Sequence, residues 1–336
     1  MLRAAYLFDQ IVHPENLRLA FYKAARGRRG QQVVQQFAAS LPQRIATMSV
    51  AVREGTFPVG RFHQFFIRDP KERIITAPCF EERVLHHGIM NLCEPVFDRW
   101  LIDDTFACRG GKGREGAIRR AQCFTRRHGW FLKLDVRKFF DSVPHVKLAE
   151  FLERRFKDRR LLALLNQIIH AYRGELGIGL PIGSLTSQHF ANFYLGWLDR
   201  FVKEQLRPGG YVRYMDDMLL WHDDRQKLEE IERLFRHFVA EKLSLELKPA
   251  EVRRVTTGIP YLGCRIWPTH VELNRRSKRR WGIRVRILQR AERLGLISER
   301  DLQVRLTALT AFAQSAGVKS WRFRHTTLCS RRVDDP

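Results

Sequence analysis

The sequence predicts an α+β protein with an antiparallel sheet. Residues 130–136 form an apolar, β-prone run that is typical of a buried strand. Two further β-prone runs, residues 211–214 and 218–221, flank a short segment that contains Asp216 and Asp217, and this arrangement predicts a hairpin. Apolar residues at helical spacing over residues 186–206 predict a helix that packs one face into the core.

The remaining elements follow from the same two periodicities. Helices are expected over residues 16–25, 31–54, 81–100, 141–156 and 228–239. Extended segments are expected over residues 57–67, 244–247, 261–266 and 271–273. From residue 275 the chain is rich in arginine and is predicted to be helical to about residue 317.

The 336-residue chain is strongly basic. It holds 60 Lys and Arg against 36 Asp and Glu, which gives a formal net charge of +24. A folded protein with such an excess repels itself unless a polyanion binds it. Nucleic acid is therefore the first candidate partner, and an anionic membrane surface is the second.

The six cysteines are scattered and include no Cys-x-x-Cys pair, so a zinc ribbon is not expected. Reduced thiols of this kind are typical of cytosolic proteins. The N-terminus lacks the apolar stretch of a secretory signal, and no apolar run of about 18 residues occurs. We therefore expect a cytoplasmic protein with no membrane partner.

Three carboxylates lie in apolar, strand-like surroundings: Asp135 in the run at 130–136, and Asp216 and Asp217 at the tip of the predicted hairpin. Carboxylates in such places lose solvation, and adjacent ones repel each other, unless a cation compensates. Mg²⁺ suits them because it prefers carboxylate and phosphate oxygens. For the Asp-Asp pair taken alone, an ordinary β-turn is the more frequent explanation.

Several carboxylates at one place suit phosphoryl transfer to a hydroxyl group. Two metal ions roughly 3.5–4 Å apart can lower the pKa of the attacking hydroxyl and neutralise the leaving pyrophosphate. Carboxylates from two neighbouring strands can bridge such a pair of ions.

Five segments resemble the ordered blocks of reverse transcriptases. They are KLDVRKFFD at 133–141, LPIGSLTSQ at 180–188, YMDD at 214–217, LELK at 245–248 and IPYLG at 259–263. The resemblance extends from about residue 16 to about residue 266 and rests on the order of the blocks, because a single block is unspecific.

The resemblance implies a right-hand polymerase with fingers, an antiparallel-sheet palm and a helical thumb. Residues 1–128 would form an N-terminal segment and the fingers, residues 129–268 the palm with some fingers elements, and residues 269–336 a basic thumb. The implied substrates are template RNA, a primer or cDNA duplex, and dNTPs.

The resemblance also implies roles for single residues. Asp135, Asp216 and Asp217 would be catalytic and would hold two Mg²⁺ ions, which Mn²⁺ could replace, with help from the Val136 carbonyl. Phe140 matches the aromatic residue that excludes a ribose 2′-hydroxyl, and ordinary core packing is the alternative.

The resemblance implies that further residues bind the nucleotide or the nucleic acid. Lys71 and Arg73 resemble fingers residues that grip the triphosphate, and Lys248 resembles a lysine near the incoming nucleotide. A solvated turn and a surface lysine at a strand end are the competing explanations. Nucleic-acid contacts are expected from a basic glycine loop, a turn that resembles the primer grip, and the thumb: Arg109, Lys112, Arg114, Tyr261, Gly263, Arg279 and Arg280.

The fourth block departs from the common Gln-Gly-x-x-x-Ser-Pro pattern, because Ile182 replaces the glutamine and Gln188 replaces the proline. This form resembles the reverse transcriptases of diversity-generating retroelements. In that family, cDNA synthesis is error-prone opposite template adenines, and a small basic accessory protein takes part. An isoleucine in contact with the incoming dNTP cannot make the hydrogen bond of a glutamine, which lowers discrimination.

Two alternatives stay open. One is another bacterial reverse transcriptase, from a group II intron, a retron or a phage-defence system. The other is a non-catalytic nucleic-acid-binding protein with a polymerase fold, for which loss of a carboxylate would be the discriminating feature. All three carboxylates are present.

Overall fold

The computed structural model describes residues 3–68, 72–172 and 177–315, with the backbone alone for 311–315. The described residues form two compact units. The first draws on Met1–Asp103, Asp135–Gln205 and Phe235–Lys248. The second draws on Asp104–Leu134, Leu206–Leu234 and Pro249–Pro336.

Groups of helices are interspersed with antiparallel strands along the chain. The helices are α1 Phe8–Ile11, α2 Pro14–Ala25, α3 Gln32–Ala39, α4 Leu41–Glu54, α5 Phe80–Trp100, α6 Gly113–Arg127, α7 Phe139–Ser142, α8 His145–Glu153, α9 Arg159–Ala171, α10 Leu185–Tyr194, α11 Gly196–Phe201, α12 Arg225–Leu243, α13 Arg275–Arg293 and α14 Glu299–Ser315. The strands are β1 Phe62–Arg68, β2 Glu72–Pro78, β3 Trp130–Asp135, β4 Gly210–Tyr214, β5 Asp217–His222, β6 Val252–Arg254, β7 Ile259–Tyr261, β8 Cys264–Ile266 and β9 Val271–Leu273.

The first unit is built on α5, which packs against α2 and α10. Pro14 at the first position of α2 suits a helix start, because its missing amide would have no partner there. An aromatic cluster joins α2, α3 and α5: the Phe21 and Phe37 rings stack at 5.4 Å, and Phe80 meets Phe37 edge-on at 5.5 Å. The antiparallel hairpin β1–β2 belongs to this unit.

The second unit contains two sheets and the helix that packs against them. Its larger sheet has the strand order β4-β5-β3-β6, and its smaller sheet has the order β7-β8-β9. Helix α6 approaches β4 closely at Gly210, where an added Cβ would lie 2.5 Å from the Phe124 ring. Buried residues of both sheets and of α6, among them Trp221 and Tyr261, form one apolar core.

Most of the predicted elements are present, but several are divided, misplaced or missing from the prediction. The extended segment predicted over residues 261–266 is interrupted by a turn at Leu262 and Gly263, which separates β7 from β8. The helix expected over residues 31–54 is divided at Ser40 into α3 and α4, and the one over 186–206 ends in a π-helical turn at Val202–Leu206. The strand predicted over 244–247 is wrong, because only Leu247 makes a bridge, to Val136. Helices α1, α6 and α9 and strand β6 were not predicted.

In the described part of the chain, no helix combines the length and the apolar character needed to cross a membrane.

Candidate functional site

The YMDD box forms the turn between β4 and β5. Tyr214 pairs with Asp217 across the hairpin, so Met215 and Asp216 are the two connecting residues. Met215 has φ 56°, a conformation that glycine adopts easily and that strains a side chain with a Cβ. Backbone strain of this kind concentrates at functional sites, and here it presents Asp216 and Asp217 side by side, both half-buried.

Lys133 on β3 faces the hairpin carboxylate. Its ammonium nitrogen lies 3.0 Å from Asp217 Oδ1 and donates to Asp217 Oδ2 at 3.2 Å and to the Pro260 carbonyl at 2.9 Å. β3 and β5 are neighbours in the larger sheet. Lys133 was not singled out from the sequence, although a charged residue inside a buried strand run is a usable signal.

The turn after β7 has the geometry of a two-residue hairpin connection. Tyr261 pairs with Cys264, and the connecting residues Leu262 and Gly263 have φ values of 45° and 80°. Arg114 Nε donates to the Leu262 carbonyl at 2.9 Å, so this arginine of the basic loop holds the turn in place.

The Tyr261 side chain lies in the core of the second unit, with only 1% of its surface exposed. Burial, and next the negative charge of Asp217, raise the pKa of its phenol well above the usual value. Within the described residues its hydroxyl has no hydrogen-bond partner. If this turn contacts a primer, its backbone makes the contact, because the Tyr261 ring is buried.

The other predicted nucleic-acid residues lie on two elements of the second unit. Before α6, Arg109 donates to the Thr105 carbonyl at 3.1 Å, and the Lys112 ammonium lies 5.4 Å from the Phe106 ring centroid. On α13, Arg279 is exposed and Arg280 is half-buried.

Asp135 belongs to the first unit, where its carboxylate has a lysine counterion. The Lys248 ammonium donates to Asp135 Oδ1, and the Lys248 amide donates to the Asp135 carbonyl at 2.9 Å. The bridge between Val136 and Leu247 fixes this pairing. About a third of the Asp135 side chain is exposed, so the carboxylate remains accessible to a ligand.

Phe140 lies on α7 and is half-buried, with its ring 5.7 Å from that of Phe139. Its carbonyl accepts the Leu180 amide at 2.7 Å, which connects α7 to the fourth block. The structure thus places the residue that would exclude a 2′-hydroxyl next to the block that contains Ile182.

The fourth block is attached to hairpin strand β2. The Thr76 amide donates to the Ile182 carbonyl at 2.7 Å. Gly183 has φ 120°, and an added Cβ would lie 2.7 Å from Ile75 Cγ2. Only glycine permits so close an approach in that conformation.

Two further predicted nucleotide-binding residues, Arg73 and Gln188, lie on exposed surfaces of the first unit. Arg73 is exposed on β2, opposite Ile67. Gln188 is exposed on α10. Lys71 lies outside the described residues.

Asp135 and Asp217 each have a lysine ammonium as counterion in this structure. Among the residues the structure describes, no three His, Cys, Asp or Glu side chains form a group that could hold a metal ion. Carboxylate oxygens are nevertheless the donors that Mg²⁺ prefers, so the chemistry of the three acidic residues fits that ion. Their joint binding of metal stays a prediction.

Comparison with known proteins decides the family. Residues 68–266, more than half of the chain, match the family described as reverse transcriptase (RNA-dependent DNA polymerase). The chain belongs to the reverse transcriptase family. Such enzymes use divalent metal ions and copy RNA templates. Membership also confirms the predicted right-hand polymerase fold, with its mixed helices and antiparallel sheets.

Several curated relatives of this reverse transcriptase are connected with introns. It is 23% identical to the group II intron-encoded protein LtrA of Lactococcus lactis over 48% of this chain and 28% of LtrA. It is 28% identical to a 91 kDa protein in the cob intron of Schizosaccharomyces pombe over 39% of this chain and 17% of that protein. Protein YkfC of Escherichia coli is 22% identical over 58% of this chain and 63% of its own length. The chain thus spans less than two thirds of each of these relatives.

Among solved structures, an apo telomerase from Candida tropicalis superposes with a TM-score of 0.49 and 9% identity. The superposition covers 70% of this chain and 53% of the telomerase. A likeness at this level carries no argument about activity.

Proposed function

We propose that this chain is an RNA-directed DNA polymerase that adds dNTPs to a primer 3′-end on an RNA template. The observation that carries the proposal is the pairing of β3, which ends at Asp135, with β5, which begins at Asp217. The chain belongs to a family of RNA-dependent DNA polymerases, and carboxylates that hold two metal ions are suited to phosphoryl transfer.

In this proposal Asp135, Asp216 and Asp217 hold two Mg²⁺ ions, or Mn²⁺ in their place, with the Val136 carbonyl as a further ligand. The bound ions would lower the pKa of the primer hydroxyl and neutralise the pyrophosphate charge. Lys133 and Lys248 compensate the charge of the carboxylates they contact.

The proposed dNTP site uses the elements around the fourth block. Arg73, together with Lys71, binds the triphosphate, and Phe140 fills the space of a 2′-hydroxyl. Ile182 lies under the nascent base pair or sugar, and Gln188 and Lys248 contribute to binding of the nucleotide. Exposure of Arg73 supports its role, because a charged side chain on a hairpin is free to close on phosphate.

Duplex binding is assigned to the turn at Gly263, to Arg109 and Lys112 of the basic loop, and to Arg279 and Arg280 of α13. Arg114 acts through the turn that it holds. Arginine and lysine contacts to phosphate position a duplex without reading its sequence.

Primer extension tests the proposal. Purified wild-type protein with an annealed RNA template, DNA primer, dNTPs and Mg²⁺ is expected to extend the primer. Asp216→Ala should lower the rate by at least about a thousandfold, more than removal of one transition-state hydrogen-bond donor costs. Equal extension by both proteins would contradict the proposal, and inactivity of both would favour the non-catalytic binding protein.

We further propose that the polymerase is error-prone at template adenines and serves a diversity-generating retroelement, with a structured template RNA and a small basic accessory protein as partners. Ile182 and Gln188 in the fourth block support this assignment. A second candidate is an intron-linked reverse transcriptase, which the similarity to LtrA favours.

Ile182→Gln separates the two candidates. The glutamine amide restores a hydrogen-bonding group beside the nascent pair, so misincorporation opposite template adenine should fall by about tenfold, the factor that corresponds to 1.4 kcal/mol. The measurement is sequencing of cDNA made on a defined RNA, with Ile182→Leu as the apolar control. An unchanged error frequency in both variants would remove the support for the retroelement assignment.

A further inference from the structure

A buried polar network that the proposed chemistry does not use runs through the first unit. Glu82 and His86 lie one turn apart on α5, with 0% and 1% of their surfaces exposed. Glu82 Oε1 and His86 Nε2 are 3.5 Å apart, and within the described residues neither atom has a hydrogen-bond partner. A carboxylate and an imidazole buried this deeply are costly unless their other atoms are well paired.

At one end, the network reaches the start of hairpin β1–β2. Glu82 Oε2 accepts the amides of Gly60 at 2.9 Å and Arg61 at 3.1 Å. Gly60 has φ 87°, and an added Cβ would lie 2.9 Å from Ala171 Cβ. The backbone that leads into β1 is therefore fixed by the Glu82 carboxylate and by close packing.

At the other end, the network reaches the fourth block. His86 Nδ1 lies 3.2 Å from Ser184 Oγ and 3.4 Å from Thr186 Oγ1, and the two hydroxyls are 2.9 Å apart. Ser184 occupies the N-cap position of α10, but its side chain makes no capping hydrogen bond. A serine usually stabilises a helix start from that position, so here its hydroxyl serves the network instead.

The two ends of the network meet again through the backbone. Strand β2, which bears Arg73, donates from the Thr76 amide to the Ile182 carbonyl. Glu82 thus fixes the backbone that leads into β1. His86 fixes the fourth block, which β2 contacts. A shift of either segment would break a hydrogen bond to a buried side chain, Glu82 or His86.

We propose that Glu82, His86, Ser184 and Thr186 form a positioning network that sets the place of Ile182 relative to hairpin β1–β2. Through this placement the network determines how tightly the incoming dNTP binds. The inference rests on the proposed polymerase function. It assigns no chemical step to His86, which acts through the residues it holds.

The test compares His86→Leu with His86→Asn. Leucine removes the imidazole, whereas asparagine can place a polar atom near the position of Nδ1. Loss of one buried hydrogen bond corresponds to about a tenfold effect. We therefore expect His86→Leu to raise the KM for dNTP about tenfold while kcat changes less than about threefold, and His86→Asn to restore most of the KM.

Ser49→Ala is the matched control. Ser49 is also a buried serine of the first unit, but its Oγ donates to the Val12 carbonyl at 2.6 Å and takes no part in the network. It should leave the KM for dNTP unchanged even if stability falls. Equal KM effects from Ser49→Ala and His86→Leu, or no KM effect from His86→Leu, would overturn the inference. If His86→Leu does not fold, Ser184→Ala replaces it with the same expectation.

Amide hydrogen exchange separates this inference from the polymerase proposal. His86→Leu should accelerate exchange at Gly60, Arg61 and Thr76, whereas Ser49→Ala should not. If the wild-type protein extends no primer, the polymerase proposal fails. Amide hydrogen exchange then tests by itself whether the network positions these segments. Faster exchange at those amides then supports the network, and unchanged exchange overturns it.

Discussion

Asp135→Asn is expected to abolish primer extension, with a fall in rate of at least about a thousandfold, while the protein stays folded. Asparagine keeps the shape of the side chain but loses the charge and one of the two oxygens that would bridge metal ions. The only described ion pair of Asp135 is with Lys248, whose side chain is 47% exposed. Breaking an exposed pair should change the free energy of unfolding by less than about 1 kcal/mol.

The matched control is Asp141→Asn in the same block. Asp141 is exposed on α7, six positions after Asp135, and no catalytic role is assigned to it. Steady-state extension rates and denaturant unfolding would be measured for both variants. An Asp135→Asn protein that retains a tenth of the wild-type rate would show that this carboxylate is not a metal ligand.

Gly183→Ala is expected to lower both the stability and the activity of the protein. At φ 120° a side chain strains the backbone, and the new Cβ would lie 2.7 Å from Ile75 Cγ2 and 3.3 Å from the Thr76 carbonyl. Ile75 is stiff because its side chain is β-branched, so the fourth block must move away from β2. We expect the free energy of unfolding to fall by about 3 kcal/mol, the sum of backbone strain and overpacking.

Gly55→Ala provides the control for strain alone. Gly55 ends α4 with φ 74°, but an added Cβ would meet no atom within 4 Å. Its cost should be about 1 kcal/mol, with the extension rate unchanged. If Gly183→Ala were no more costly than Gly55→Ala in urea unfolding, the close contact between the fourth block and β2 would be disproved.

The sequence predicted the central hairpin well because its signals are local. Two β-prone runs mark β4 and β5, and the acidic pair marks the turn between them. The same kind of signal misled over residues 244–247. Leu245 and Leu247 are buried as alternation requires, but Ser244 has φ 49° and only Leu247 bridges another segment. An alternating pattern of apolar residues predicts which side chains are buried. A β-strand also requires backbone hydrogen bonds to a neighbouring strand along its length.

Two missed helices have different causes. The apolar face of α9, formed by Leu161, Leu164, Leu165, Ile168 and Ile169, and its Asp158 cap are visible in the sequence and could have been used. By contrast, α6 begins at Gly113 and contains Gly116, and glycine lowers helix propensity. Packing against β4 and β8 compensates there.

Hydrogen-bond partners that are far apart along the chain could not be predicted from the sequence. Ser184 and His86 are 98 positions apart, and Lys133 and Asp217 are 84 apart. His86 taken alone resembles an ordinary core histidine, and only the fold gives it Ser184 and Glu82 as neighbours. The same holds for Arg114, because only the fold shows that its Nε donates to the Leu262 carbonyl, 148 positions away.

We propose that Asp135 and the Asp216-Asp217 pair share one pair of metal ions. Iron(II) can replace Mg²⁺ at oxygen ligands, and with ascorbate and peroxide it cuts the nearby backbone. We predict cuts beside residue 135 and beside residues 216–217 in the same protein, all suppressed by excess Mg²⁺ when fragments are mapped by mass spectrometry. Cuts confined to one of the two segments, or cuts that excess Mg²⁺ leaves unchanged, would contradict the shared site.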